Sequence, residues 1–333
     1  MAAGGSNGAK RRVVLAVSVG CPCGIGPEVA VVAASQIDPD RADVLLVGDT
    51  GAIVEAAALR KIDLAMLPNV RRIAASALDA KERAPGGPPG VAAGKAQLAA
   101  IDRALDLVTS GIADAIVTGP VSKHAITSAG HDFVGHTEYL EEKTNASHVV
   151  MLFAGPKLRT SLVTTHLAIK DVPAALTTAN VSRTIVTTAR ALWRDFGIES
   201  PRVVVTGLNP HAGEHGMFGS EDRDVIAPAV ADARIMLSGI ATVDGPVAAE
   251  AAFRMARDGA WDAVVAMYHD QATIASKLLD FGDAVNVTLG LPIVRTSVDH
   301  GTGYDIAGKG VADARGMAAA LQLAIEMCGR RRP

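Results

Sequence analysis

An α/β architecture with two lobes, parallel or mixed sheets, flanking helices and a cleft between the lobes is predicted by three observations. Short β-branched apolar runs alternate with segments of helical period, the pattern of buried strands joined by crossover helices. The chain is 333 residues long, enough for about two domains at roughly 150 residues each. Its composition, 49% hydrophobic and 20% charged with 3% aromatic, is that of an Ala/Val/Gly-rich globular core, which excludes disorder.

The strands expected from these runs are Val13 to Val19, Asp43 to Val47, Ala113 to Val117, Thr160 to Thr164, Val203 to Thr206, Ala263 to Met267 and Val285 to Thr288. Between them, helical period covers Ala92 to Ser110, Ser182 to Phe196, Asp222 to Leu237, Ala248 to Arg257 and Val311 to Met327. Residues 1–11, rich in Gly and Ala and without periodicity, read as a disordered tail. Residues 12–130 with 308–333 are expected to form the first unit, and residues 131–307 the second. Ala84 to Gly90, crowded with Pro and Gly, is a surface excursion, since proline removes the donors that a helix or ladder needs.

A formal charge of −3 without long single-sign runs gives no bulk attraction for a nucleic acid or an anionic membrane. An anionic ligand would have to be captured locally. Three cysteines (Cys21, Cys23 and Cys328) cannot build a disulfide framework and suit a reducing compartment, so a cytoplasmic location is expected. Lys10-Arg11-Arg12 before Val13 to Gly20 imitates a signal segment, but the run leads into a Gly/Pro motif instead of a small-residue cleavage site. No apolar run of about 18 residues is present to span a bilayer.

Three of the nine histidines share one setting. His166, His211 and His269 each stand at or just past the carboxyl end of an apolar run, where three imidazoles can converge on a divalent metal with an open coordination position. Gly119-Pro-Val-Ser-Lys123 follows a strand and opens a helix, whose free N–H groups attract an anion. His136 and Thr137 lie on a glycine-led turn, while Lys277, Asn286 and Arg295 supply a cation, an amide and a planar fork suited to a phosphate and a carboxylate. Neither the Gly-x-Gly-x-x-Gly fingerprint nor the P-loop is present. In Gly20-Cys-Pro-Cys-Gly-Ile-Gly-Pro-Glu28, Pro27 and Glu28 begin a helix and Gly24 and Gly26 form the preceding turn. Cys21-x-Cys23 lacks the second cysteine pair of a zinc site.

Together these motifs resemble the 4-hydroxythreonine-4-phosphate dehydrogenase family of pyridoxine biosynthesis. The resemblance is carried by Thr118 to Lys123, Gly135 to Leu140, Thr164 to His166, Gly207 to Glu214, Tyr268 to Gln271, Asn286 to Pro292 and Arg295 to Gly301. It implies an isocitrate/isopropylmalate dehydrogenase-like fold that binds NAD (or NADP) without a Rossmann fingerprint. It further implies a divalent metal (Zn, Co or Mg) on His166, His211 and His269, with His269 supplied by the partner of a homodimer, and most metal and dimer contacts in the second unit. His136, Thr137, Lys277, Asn286 and Arg295 would bind the substrate, with Lys277 also catalytic; Gly24, Gly26 and Asn209 are cofactor candidates. The implied reaction is oxidation of 4-phosphooxy-L-threonine at C3 and decarboxylation to 3-amino-2-oxopropyl phosphate.

The chain also departs from the family pattern. Cys21 and Cys23 stand where Asp and Ala are usual, Ala272 replaces a glycine, and Glu250 replaces an Asp that reaches substrate, adding a methylene that shifts its carboxylate by about 1 Å. Gly303-Tyr-Asp305 and Lys277-Leu-Leu resemble a branch of the family that oxidises 4-phospho-D-threonate or D-erythronate 4-phosphate, which is the alternative substrate class. A metal hydrolase would turn over without NAD, and a phosphometabolite-binding protein would bind without turnover.

Overall fold

A computed structural model describes residues 11–332. The expected tail therefore lies outside the described residues except for Arg11, whose guanidinium pairs with Asp114 at 2.9 Å.

From the amino end, β1 (Val13–Ser18) leads through the glycine-rich turn into α1 (Gly26–Ser35), β2 (Ala42–Asp49) into α2 (Thr50–Leu59), and β3 (Val70–Ser76) into α3 (Val91–Thr109). Next come β4 (Ala115–Thr118), α4 (Lys123–Ser128), α5 (His136–Thr144), β5 (Val150–Ala154), β6 (Arg159–Leu162), α6 (Val172–Ala175) and α7 (Thr178–Arg194). β7 (Arg202–Thr206) precedes α8 (Ala227–Met236), β8 (Thr242–Val247) precedes α9 (Ala249–Arg257), and β9 (Ala263–Ala266) precedes α10 (His269–Leu279). β10 (Val285–Leu289), β11 (Val294–Ser297) and α11 (Arg315–Arg330) complete the chain.

All seven expected strands are present, and four more accompany them. Two of the additions, β3 and β8, are edge strands; β3 leaves both arginines exposed and β8 contains Asp244-Gly-Pro246, so neither reads as a buried run. The others are β5, an apolar run (VMLFA) with only one β-branched residue, and β11, whose Arg-Thr-Ser stretch is not apolar. α7 begins four residues ahead of the expected Ser182 because Thr177 and Asn180 form a reciprocal capping box. The segment expected to be one helix from Asp222 divides into a π turn, Asp222–Ile226, and α8. There the Asp222 carboxylate accepts from the backbone N–H groups of Leu208 and Asn209 and ties the turn to the loop after β7. Val311 to Ala314 stay outside α11.

All eleven strands join one sheet in the order β3-β2-β1-β4-β11-β10-β5-β6-β9-β7-β8. Pairing is parallel except at β11·β10, β10·β5 and β5·β6, so strand direction reverses in the middle of the sheet. β11 pairs with β4, and the sheet thus runs without a break through both expected units. The register Thr118↔Ser297↔Asn286↔Phe153 puts these four residues, together with Met151, Thr288 and Arg295, on one face. No helix among the described residues is long and apolar enough to cross a membrane.

The turns after β1 and β4 touch backbone to backbone. Cys21 N–H donates to Pro120 O at 2.9 Å, a Cβ on Gly119 would come within 2.7 Å of Val19 O, and a Cβ on Gly20 (φ +81°) would run into Pro120 O. Gly20→Ala should therefore cost about 2–4 kcal/mol of unfolding free energy. Gly329→Ala, with open space around the added methyl, should be neutral or stabilising by up to about 1 kcal/mol. Urea denaturation of both variants checks the difference.

Candidate active site

Over the reversing strands lies a cavity of about 230 Å³. Met151, Phe153, Asn286, Arg295 and Ser297 floor it, α5 walls it with Gly135 to Glu138, and Gly119 to Val121 and Lys123 close another side. His166 and His269 stand at its edge with Asp299 and His300.

Arg295 is 2% exposed, and its guanidinium is held by neutral partners. Nη1 donates to Thr288 Oγ1 at 2.8 Å, while Nε and Nη2 donate to Thr118 Oγ1 at 3.2 and 2.8 Å. Burial lowers its pKa to about 10, against a raising pull from Glu138, so it remains a cation at neutral pH without a carboxylate bound to it. A charge buried in that state is costly unless an anion arrives. Lys123 supplies a second cation, and the first turn of α5 presents backbone N–H groups that no side chain caps.

Three polar atoms at this cavity are sealed from solvent without a protein partner: His136 Nε2, Asn286 Oδ1 and His300 Nε2. His136 packs edge-on against Phe133, with ring centroids 5.7 Å apart. Burial, then Arg295 and Lys123, drive its pKa well below 6.5 and keep the ring neutral. Thr137 Oγ1 lies 3.4 Å from Thr288 Oγ1. His300 Nδ1 lies 3.0 Å from Gly301 O; assigning the proton there leaves Nε2 as an acceptor.

The three strand-end histidines do not all come together within one chain. β6, β9 and β7 are parallel neighbours, so His166, His269 and His211 do follow adjacent strand ends. His166 and His269 come together, with centroids 5.7 Å apart. Burial, helped by Lys123 and His269 and opposed by Glu138, lowers the His166 pKa and favours the neutral ring a metal needs. His269 Nδ1 engages Asp270 at 2.8 Å, which leaves Nε2 free. His211 does not line the cavity; it lies in a run of left-handed residues from His211 to His215 and faces Phe218 at 6.2 Å. Among the described residues no group of three His, Cys, Asp or Glu side chains is placed to hold a metal.

Other expected residues lie apart. Glu250 is exposed in the first turn of α9 and does not line the cavity. Lys277 reaches the site only through Asp299, at 3.2 Å. Asn209 is engaged by Glu221 and Asp222, both at 2.9 Å. Gly26 packs against Val19 O, and Gly24 borders a separate cavity of about 210 Å³ beside Pro27 and Glu28. Asp299 and His300 received no role from the sequence. They follow β11 as the other histidines follow their strands, but the charged and polar Arg295, Thr296 and Ser297 break any apolar run there.

The model of the family described as "Pyridoxal phosphate biosynthetic protein PdxA" matches residues 40–324. A 4-hydroxythreonine-4-phosphate dehydrogenase of Geobacter metallireducens is 46% identical over 336 residues, covering 96% of each chain. The crystal structure of the enzyme of the same name from Klebsiella pneumoniae superposes with a TM-score of 0.83 at 34% identity, covering 96% of this chain and 100% of its own. That from Burkholderia phymatum gives 0.80 at 36%, covering 96% and 99%.

Two outcomes are expected. Arg295→Lys keeps charge but loses the fork that spans two threonines, so it should lower stability by about 1–3 kcal/mol and weaken binding of inorganic phosphate, measured by denaturation and calorimetry. Because folded His136 resists protonation while the unfolded ring protonates near 6.5, the unfolded state binds more protons below that pH. Stability should fall as pH drops below about 6.5, and His136→Asn should flatten that part of the profile in thermal melts.

Proposed function

This chain belongs to the PdxA family, and from that premise we propose that it is a dehydrogenase that oxidises 4-phosphooxy-L-threonine at C3, using NAD or NADP, and releases CO2 to leave 3-amino-2-oxopropyl phosphate. The observation that carries the reading is the buried Arg295 without a carboxylate, surrounded by three sealed polar atoms that lack partners. A phosphorylated, polyfunctional small molecule supplies what they need.

In this reading Arg295, Lys123 and the first-turn N–H groups of α5 bind the phosphate, with Thr137 and neutral His136 donating to its oxygens. Asn286 Oδ1 and His300 Nε2 accept from the hydroxyl or ammonium groups and fix the C2–C3 end against the mouth of the cavity. A bound nicotinamide would accept the C3 hydride, solvent would take the hydroxyl proton, and the resulting β-keto acid would lose CO2. Lys277, tethered by Asp299, returns a proton to the carbon that held the carboxylate.

A divalent metal held by His166, His269 and His211 would supply Lewis acidity at the C3 oxygen. Two of those rings stand together in one chain, and the third does not line the cavity, so a second copy is proposed to complete the set. The exposed apolar stripe of Ile274, Leu278 and Phe281 along and just past α10, the helix that His269 begins, supports such a contact.

The first test is NADH formation with 4-phosphooxy-L-threonine and 4-phospho-D-threonate in parallel, with and without chelator. Preference for the amine substrate, lost on chelation, is expected; preference for the hydroxy acid would move the enzyme to the other branch, and turnover without nicotinamide would overturn the reading. Mixing His211→Ala with His269→Ala protein should then restore part of the activity, because each hybrid dimer holds one intact site if the two rings come from different chains. No recovery would mean that a single chain provides both.

A further inference from the structure

The two cysteines that depart from the family pattern do not act in the proposed reaction, yet the fold puts them together beside the cavity. Cys21 and Cys23 are 0% and 2% exposed and form a small cluster with Ala93, against which Leu78 and Tyr304 pack. Cys21 Sγ lies 3.4 Å from Tyr304 Oη, and Cys23 Sγ donates to Glu82 O at 3.2 Å. The neighbouring Cys23 side chain and Tyr304 lower the Cys21 pKa to about 7 despite its burial, whereas Cys23 is pushed up and keeps its proton, which goes to Glu82 O. One sulfur is thus a nucleophile at neutral pH and its neighbour a protonated thiol within contact. Neither is in a disulfide.

We propose that Cys21 and Cys23 form a peroxide-sensitive modification site, in which a small hydroperoxide converts the pair to an intrachain disulfide that distorts the wall of the cavity. The Cys21 thiolate attacks the peroxide oxygen, the O–O bond breaks, and hydrogen peroxide yields a sulfenic acid and hydroxide. Cys23 sulfur then displaces the sulfenic oxygen, its proton leaves with that oxygen as water, and the S–S bond forms; the pair is oxidised by two electrons and one peroxide is reduced. Full burial restricts the oxidant to molecules near the size of water. It also disfavours bulky thiol reagents, which are directed to the more open Cys328.

The same turn explains how the bond would reach the site. Cys21 N–H holds Pro120 O at 2.9 Å, and Pro120 lines the cavity. Gly86 N–H holds Cys23 O at 2.9 Å, so the Pro/Gly excursion is tied to the pair from the other side. Drawing the sulfurs into a bond removes the Cys21 contact with Tyr304 and twists a turn whose backbone touches the next loop directly.

The experiment treats the full-length protein with hydrogen peroxide and maps its peptides by mass, then assays NADH formation before and after dithiothreitol. The expected result is the loss of two hydrogens on the peptide holding both cysteines, with loss of most activity, and recovery of both on reduction. The variant C21D/C23A, which carries the residues usual in the family, should keep its activity through the same treatment. No two-hydrogen loss, or equal inactivation of C21D/C23A, would overturn the proposal. The mass readout does not depend on turnover, so failure of the dehydrogenase reading would leave this result interpretable.

Discussion

A guanidinium buried in the middle of a β-sheet constrains everything around it. Arg295 sits on β11 between β4 and β10, and its donors are met by Thr118 on one neighbour and Thr288 on the other. That arrangement requires the three strands to keep one register, because a slip by one residue would turn each threonine to the opposite face. The charge itself is left for a ligand. Hydroxyl dipoles soften the cost of burial without cancelling it, so the residue that ties the sheet together also puts a buried positive charge against the cavity.

The reversal of strand direction at β10 and β5 explains where the cavity lies. In a wholly parallel sheet, ligands gather beyond the carboxyl ends of the strands. Here the antiparallel pair brings side chains from both halves onto a shared face, and loops after β4, β6, β9 and β11 reach it from different sides. Glycines where the first two turns meet allow backbone to pack on backbone, and this contact couples the Cys21 turn to the Pro120 wall.

Electrostatics divides the labour among the histidines. Burial beside two cations keeps His136 neutral, whereas His166 and His269, which line the same cavity, are less enclosed. His211 follows a strand that neighbours β9, but it lies in a run of five left-handed residues and does not line the cavity.

Much of the fold and several of the residues lining the cavity were legible in the sequence. Apolar β-branched runs marked seven strands because burial on both faces needs uninterrupted hydrophobicity, and the glycine-led turns and the Arg295 and Lys123 cations marked residues that line the cavity. The family resemblance, carried by motifs from Thr118 to Gly301, agrees with the relatives found across nearly the whole chain. Only the tertiary structure decided that Arg295 is sealed between two threonines, that Glu250 and Asn209 lie away from the cavity, and that Asp299 and His300 join it. Those outcomes depend on strand order and on loop dihedrals, which bring together residues distant in the chain. The spacing of residues along a sequence carries no information about which way such a loop turns.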